Sequence, residues 1–100
     1  MNTDQIMLMI LCAEERVEEL IRFLGDYDVA GFTELQGLQG AGSTGKHLGT
    51  RAFPGTVSML LTVGSREETA RVAEGLGNFA KGCRPGQGLR AFAFQASQVV

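Results

Sequence analysis

The sequence predicts one α+β domain, 1–100, of the ferredoxin-like βαββαβ class: an antiparallel four-stranded sheet with two helices on one face. Two observations lead to this prediction. Four apolar segments have the patterns of strands, and segments with helical periodicity follow the first and the third of them. Right-handed crossovers then place both helices on the same side of the sheet. The other side is left without cover.

The first half of the chain predicts a strand, a helix and a second strand. Residues 5–12 are almost continuously apolar, as in a strand buried on both faces. From Ala13 onwards the apolar residues recur at helical spacing. The inner positions of this helix are Val17, Leu20, Ile21 and Leu24, and the outer ones are Glu14, Glu15, Glu18, Glu19 and Arg22. Gly25 is expected to end the helix with a positive φ, and residues 31–38 to form a strand anchored by Phe32 and Leu35.

The second half predicts a strand, a helix and a final strand. Residues 55–63 alternate in the manner of a strand, and 89–96 do so again. Between them, Ser65 and Glu68 have the spacing of a capping box, which begins a helix. The inner stripe of this helix is predicted to be Thr69, Val72, Ala73, Leu76 and Ala80. Segment 39–54 is rich in glycine and lacks apolar periodicity, so we expect a long, mobile loop.

Both faces of the first strand are apolar, which predicts an oligomer. Alternate residues point to opposite sides of a strand. One side carries Ile6, Leu8, Ile10 and Cys12, and the other carries Met7, Met9 and Leu11. Because the helices cover one side only, and monomers rarely expose large apolar surfaces, the second side is expected to meet another copy. Composition does not choose between a dimer and a trimer.

Charge and composition exclude several classes of protein. A net charge of -2 generates no field that would attract nucleic acid. The longest apolar run, 6–13, is far shorter than a membrane span, and no export signal is recognisable, so we expect a cytoplasmic protein that does not insert into membranes. In that compartment Cys12 and Cys83 should be free thiols. Together with a single histidine they do not form a zinc pattern.

Two segments could bind an anion. Segment 40–47, GAGSTGKH, contains the glycine spacing of phosphate-binding loops, but no helix is predicted after it, so we interpret it as a glycine-rich loop. Segment 84–90, RPGQGLR, combines two arginines with a glycine turn that could present backbone N–H groups to an anion. An ordinary turn with solvated arginines explains the second segment equally well.

Signals for an enzyme are weak. No base stands beside a nucleophile, and His47 falls in the predicted loop, where a catalytic geometry is difficult to hold. Cys83 lies near two arginines and a lysine that could make its thiol reactive, although a small turn residue explains it better. We therefore predict a protein without catalytic activity.

Two short stretches, TELQG at 33–37 and AKGCRPGQGLRAFAF at 80–94, resemble motifs of the PII-like signalling proteins of the nitrogen regulatory protein PII superfamily. Residues 33–37, TELQG, are similar to the motif that precedes the long T-loop of that family. Residues 80–94, AKGCRPGQGLRAFAF, are similar to the motif around its B-loop. The T-loop equivalent would be 38–54 and the B-loop equivalent 82–89. Gln87 stands where the family has an aspartate, and the T-loop equivalent lacks the tyrosine that uridylylation would modify.

The resemblance implies a homotrimer that binds an adenine nucleotide, ATP, ADP or AMP, as an effector in clefts between subunits. No cofactor would be obligatory, and the protein target would be a transporter or an enzyme contacted through the T-loop equivalent. The implied ligand-binding residues are Gly37, Leu38, Gln39, Arg84, Gly86, Gln87, Gly88 and Arg90.

Two other functions remain open at this stage. The divalent-metal tolerance proteins share the trimeric fold, and Cys83 or His47 would then bind a soft metal. A small dimeric α+β barrel enzyme would instead have its pocket between the sheet and the helices.

Overall fold

The structure, a computed structural model, describes residues 2–29, 31–39, 56–83 and 88–100. Strand β1 is followed by a 3₁₀ turn and then by helix α1, after which come β2, β3, helix α2 and β4. Their bounds are Asn2–Ala13 for β1, Glu14–Arg16 for the turn, Val17–Asp26 for α1, Thr33–Leu38 for β2, Val57–Ser65 for β3, Arg66–Lys81 for α2 and Leu89–Gln98 for β4. The predicted βαββαβ order is confirmed, and the strands differ from prediction mainly at their ends.

The sheet has the strand order β2-β3-β1-β4, and all three pairings are antiparallel. The two central strands are therefore β3 and β1, and β2 and β4 are the edges. Met9 is opposite Leu61 of β3 on one side and Phe92 of β4 on the other. Side chains at paired positions project to the same side of a sheet. This register determines which residues of the four strands share a face.

Both helices pack on one face and form a single core with it. The core contains side chains from β1, β3 and both helices that are at most 7% exposed: Leu8, Ile10, Cys12, Val17, Leu20, Leu24, Leu60, Val72 and Leu76. The predicted assignment of alternate β1 side chains to the two faces of the sheet is confirmed, since Leu8, Ile10 and Cys12 face the helices. The α+β fold with two helices on one face of an antiparallel sheet is thus confirmed.

Helix α1 has the predicted inner face but a different end. Val17, Leu20 and Leu24 are buried, whereas Gly25 stays inside the helix and is exposed. The positive φ occurs at Asp28, at 55°, where the Asp28 N–H donates to the Gly25 carbonyl at 3.1 Å. Aspartate tolerates this conformation better than most residues. The prediction of Gly25 as the terminating residue was therefore wrong by one turn.

Helix α2 begins as predicted, and its buried stripe is rotated from the predicted one. The Ser65 hydroxyl accepts the Glu68 N–H at 3.1 Å, and the Glu68 carboxylate accepts the Ser65 N–H at 2.9 Å. Ala73, predicted to be inside, is exposed, and Gly75 is buried instead. The rings of Phe23 and Tyr27 cover the Gly75 side of the helix, which explains the rotation.

The face of the sheet without helices, called the open face below, is apolar across all four strands. It is formed by Leu35, Met59, Leu61, Val63, Met7, Met9, Leu11, Phe92 and Phe94. Leu35 is 41% exposed there because it is opposite Met59, and Phe32 precedes β2 and is 40% exposed. Neither residue therefore anchors its strand in the core. The sequence had predicted both as anchors, and that prediction was wrong. In the described ranges, no helix is long and apolar enough to cross a membrane.

Candidate functional site

The candidate site lies at one end of the sheet, where both predicted ligand-binding segments emerge. In the register, Ala13 at the end of β1 is opposite Val57, and the neighbouring Cys12 is opposite Leu89. Leu38, the last residue of β2, is also opposite Val57. The connection between β2 and β3 therefore begins and ends at this end of the sheet, and the connection between α2 and β4 ends there too. The topology alone brings these two distant parts of the sequence to one end of the molecule.

The predicted site residues fall into two groups on opposite sides of that end. Gly37, Leu38 and Gln39 lie at the end of β2. Gly88 and Arg90 lie at the beginning of β4, where Arg90 is opposite Leu11 and thus on the open face. With β3 and β1 between them, the edge strands are about 14 Å apart. The predicted residues Arg84, Gly86 and Gln87, like most of segment 38–54 with His47 and the 40–47 motif, lie outside the described residues.

The end of β2 has a special backbone conformation at Gly37. Its φ is +71°, a left-handed value that favours glycine, and an added Cβ would meet nothing within 4 Å. The register shifts there, because three steps along β2 from Leu35 to Leu38 match two steps along β3 from Met59 to Val57. Gly37 therefore forms a β-bulge that redirects the chain as it leaves the sheet.

Glu14 holds both ends of the connection between β2 and β3. Its Oε1 accepts the Gly37 N–H at 2.7 Å, and its Oε2 accepts the Thr56 hydroxyl at 3.0 Å. Its own N–H donates to the Thr56 carbonyl at 3.2 Å. The sequence had assigned Glu14 to the solvent side of the first helix. That assignment was wrong, since Glu14 belongs to the 3₁₀ turn and contacts the two strand ends.

Arg16, two residues further along, contacts the beginning of the other connection. Its Nη1 donates to the Gly82 carbonyl at 3.3 Å, and its Nε lies 3.1 Å from Glu19 Oε1. Its Cζ lies 4.9 Å from the centroid of the Phe79 ring. The Arg16 side chain is only 15% exposed. Sequence reasoning missed Arg16, and no local pattern distinguishes it from the other charged residues of this segment.

Both cysteines lie near this end, and both are free thiols, as predicted. Cys12 is fully buried, and Cys83 is half-buried with its Sγ 3.8 Å from the Phe79 carbonyl oxygen. Burial, and then the neighbouring Cys83, raise the pKa of the Cys12 thiol to about 11. Cys12 therefore stays protonated at neutral pH and belongs to the core. Within the described part of the chain, no three His, Cys, Asp or Glu side chains are grouped so that they could hold a metal ion.

Comparisons with known proteins identify solved structures that share the fold of this chain. No protein-family model and no curated protein matches the sequence. Solved structures of CPII, a nitrogen regulatory PII-like protein from Thiomonas intermedia K12, do match. CPII bound to ADP, AMP and acetate has a TM-score of 0.69 and 19% identity, over 94% of this chain and 89% of CPII. CPII bound to ADP and bicarbonate has a TM-score of 0.67 and 21% identity, with the same shares covered.

A third CPII structure, bound to ADP, AMP and bicarbonate, has a TM-score of 0.65 and 19% identity, over 93% of this chain and 94% of CPII. The likeness thus extends over nearly the whole of both chains. It confirms, at the level of the fold, the resemblance to PII-like proteins that the two short sequence motifs predicted. At 19–21% identity, this likeness establishes the fold.

Proposed function

We propose that this protein is a PII-like regulator that binds a small anionic effector, most favourably an adenine nucleotide, in clefts between the subunits of a homotrimer. The proposal is carried by one observation. The chain shares its fold over almost its entire length with CPII, whose structures hold ADP, with or without AMP. The effector binds without being transformed, and it changes how the 38–54 segment contacts a target protein, a transporter or an enzyme, in the cytoplasm.

The open face supports the oligomeric part of the proposal. Val63, Phe92 and Phe94 remain between 44% and 49% exposed in a single copy. Burial of apolar area contributes about 25 cal/mol per Å², so covering the open face in each copy would stabilise a closed assembly. Closed cyclic assemblies are the usual outcome for soluble chains. A trimer is proposed because the fold is that of the PII-like proteins.

The positions of the predicted site residues support a cleft between subunits. Gly37 and Leu38 end one edge strand and Gln39 follows it, whereas Gly88 precedes the other edge strand, which contains Arg90. Two edges of one sheet do not form a single cleft by themselves, whereas edges of neighbouring copies do. In such a cleft, we propose that Arg84, Gly86 and Gln87 complete the phosphate-binding side with their N–H groups and the Arg84 guanidinium.

Calorimetric titration with ATP, ADP and AMP tests the nucleotide part, after light scattering has measured the mass in solution. We expect a trimer that binds about one nucleotide per subunit. The titration is repeated with bicarbonate present, because CPII structures hold it together with ADP. Chromatography of the nucleotide after incubation should recover it unchanged. A folded trimer that binds none of the three nucleotides would contradict the nucleotide assignment, and a monomer would contradict the cleft.

A pair of arginine variants tests the location of the site. Arg90→Met removes a guanidinium at the beginning of β4, and Arg22→Met makes the same change on the exposed side of α1. We expect Arg90→Met to weaken nucleotide binding about tenfold, which is about 1.4 kcal/mol, and Arg22→Met to leave it unchanged. Equal affinities for both variants would place the site elsewhere.

A further inference from the structure

The 3₁₀ turn Glu14–Arg16 contacts both connections at the site end of the sheet. One carboxylate, Glu14, accepts hydrogen bonds from Gly37 before the first connection and from Thr56 after it, at 2.7 and 3.0 Å. Hydrogen bonds to an ionised acceptor are among the stronger ones in proteins. The two ends of the β2 to β3 connection are therefore tied to one side chain, although 23 and 42 residues separate them from it.

Arg16 makes the matching contacts on the other side. Its guanidinium donates to the Gly82 carbonyl at 3.3 Å and packs over the Phe79 ring, with Cζ 4.9 Å from the centroid. Glu19 pairs with the same guanidinium at 3.1 Å. Because the planar guanidinium is constrained on three sides and is 15% exposed, it holds the end of α2 at a defined distance from the turn.

We propose that Glu14 and Arg16 are positioning residues that couple the ends of the two connections at the site, so that these ends move together. The two residues are separated by one residue in a 3₁₀ turn, about 4 Å along its axis, so a displacement of either one moves the other. The position of Gly37 and Thr56 is thereby coupled to the position of Gly82. The consequence for effector binding rests on the proposed function, whereas the coupling itself does not.

Hydrogen exchange at backbone amides of the folded protein measures the coupling. In Glu14→Ala the Gly37 amide loses its acceptor directly, so the diagnostic amide is that of Cys83, which donates to the Ala80 carbonyl at 3.1 Å. In Arg16→Met the diagnostic amide is that of Gly37. We expect each variant to accelerate exchange at its distant amide about tenfold. Glu18→Ala, an exposed carboxylate of α1, is the control and should change neither amide.

Glu14→Gln separates positioning from a general loss of stability. Its amide oxygen can still accept the Gly37 N–H, and its NH₂ group can donate to the Thr56 hydroxyl, which then rotates to accept. We expect Glu14→Gln to restore most of the protection at Cys83 that Glu14→Ala loses. Acceleration confined to Gly37 in Glu14→Ala and to Gly82 and Cys83 in Arg16→Met would overturn the coupling.

Calorimetry with ADP then distinguishes the two proposals. If the wild-type protein binds ADP, Glu14→Ala and Arg16→Met should each weaken binding about tenfold, and the double variant should lose less than the product of the two factors. A multiplicative loss in the double variant would overturn the coupling at the site. If the wild type binds none of ATP, ADP and AMP, the proposed nucleotide is wrong, and the exchange measurement still decides whether the turn couples the connections.

Discussion

Met9 and Phe92 are directly opposite each other across β1 and β4, on the face of the sheet that carries no helix. Phe92 is 47% exposed in a single copy, and Leu61 continues the apolar surface on the other side of Met9. Monomeric proteins rarely expose contiguous apolar surfaces of this kind. The pair therefore lies in the surface that the proposed contact between copies would cover.

A charge at Phe92 should dissociate the proposed oligomer. Phe92→Lys removes apolar burial that is worth about 1.5 to 3 kcal/mol for a large side chain, and it places an ammonium group in a dry contact. Ala91→Lys is the matched control, because Ala91 is exposed on the opposite side of the same strand. We expect light scattering to show monomers for Phe92→Lys and the wild-type mass for Ala91→Lys. An unchanged mass for Phe92→Lys would show that the open face is not the interface.

Two glycines of α2 should respond in opposite directions to alanine. A Cβ on Gly75 would lie against the Tyr27 hydroxyl and 2.7 Å from Phe23 Cζ, whereas one on Gly77 would meet nothing within 4 Å. Alanine in a helix interior gains up to about 1 kcal/mol over glycine when there is room for it. Urea unfolding should show Gly77→Ala stabilised by about this amount and Gly75→Ala destabilised by about 1 to 3 kcal/mol. Equal effects would mean that the Phe23 and Tyr27 rings yield freely.

The local elements could be predicted from the sequence because each depends on neighbouring residues. The Ser65 capping box and the inner positions Leu20 and Leu24 follow from spacing alone, and the structure confirms them. The rotation of the α2 stripe from Ala73 to Gly75 depends on the rings of Phe23, in α1, and Tyr27, directly after α1. No pattern within α2 contains that information.

The candidate site could be predicted only in part, for a similar reason. The strand carrying Gly37 ends, and the strand carrying Arg90 begins, at the same end of the sheet. The role of Glu14 depends on the register of three strands, which no short segment specifies. The charge of Glu14 is equally compatible with the exposed side of a helix, where the sequence pattern had placed this residue. The ligand roles of Arg84, Gly86 and Gln87 stay predictions.

Acidification should remove one contribution to the stability of α2. Hydrogen bonds from the Ser65 N–H and hydroxyl lower the pKa of the Glu68 carboxyl from its ordinary value of 4.5. The folded state thus favours the ionised form, so this contribution is complete above pH 4.5 and is lost as the pH falls through the lowered pKa. The stability difference between wild type and Glu68→Gln should therefore shrink as the pH falls below 4.5.

The control for this prediction is Glu67→Gln, which removes the neighbouring exposed carboxylate of the same helical turn. Urea unfolding across the acid range compares the three proteins. Ser65→Ala, which removes the helix cap, should cost about 1 kcal/mol near neutral pH. Identical acid profiles for wild type and Glu68→Gln would show that the capping box does not hold the carboxylate in solution.

The two thiols should differ in reactivity because the thiolate is the nucleophile. Cys12 is fully buried with a pKa of about 11, and Cys83 is half-buried. Iodoacetamide near pH 8 should therefore modify folded wild type once, at Cys83, as mass spectrometry of peptides will show. Cys83→Ser should remain unmodified until it is unfolded by urea. Rapid modification of folded Cys83→Ser would mean that the end of β1 opens to solvent.

Alkaline pH should destabilise the protein through Cys12. The thiol ionises near 9.0 in the unfolded chain and near 11 in the folded one, where burial disfavours the thiolate. Between these values the unfolded chain releases a proton that the folded chain retains, so the free energy of unfolding falls as the pH rises. Cys12→Ala lacks the ionising thiol, so its free energy of unfolding should fall less over the same pH interval. Parallel alkaline profiles for wild type and Cys12→Ala would contradict a raised pKa at this position.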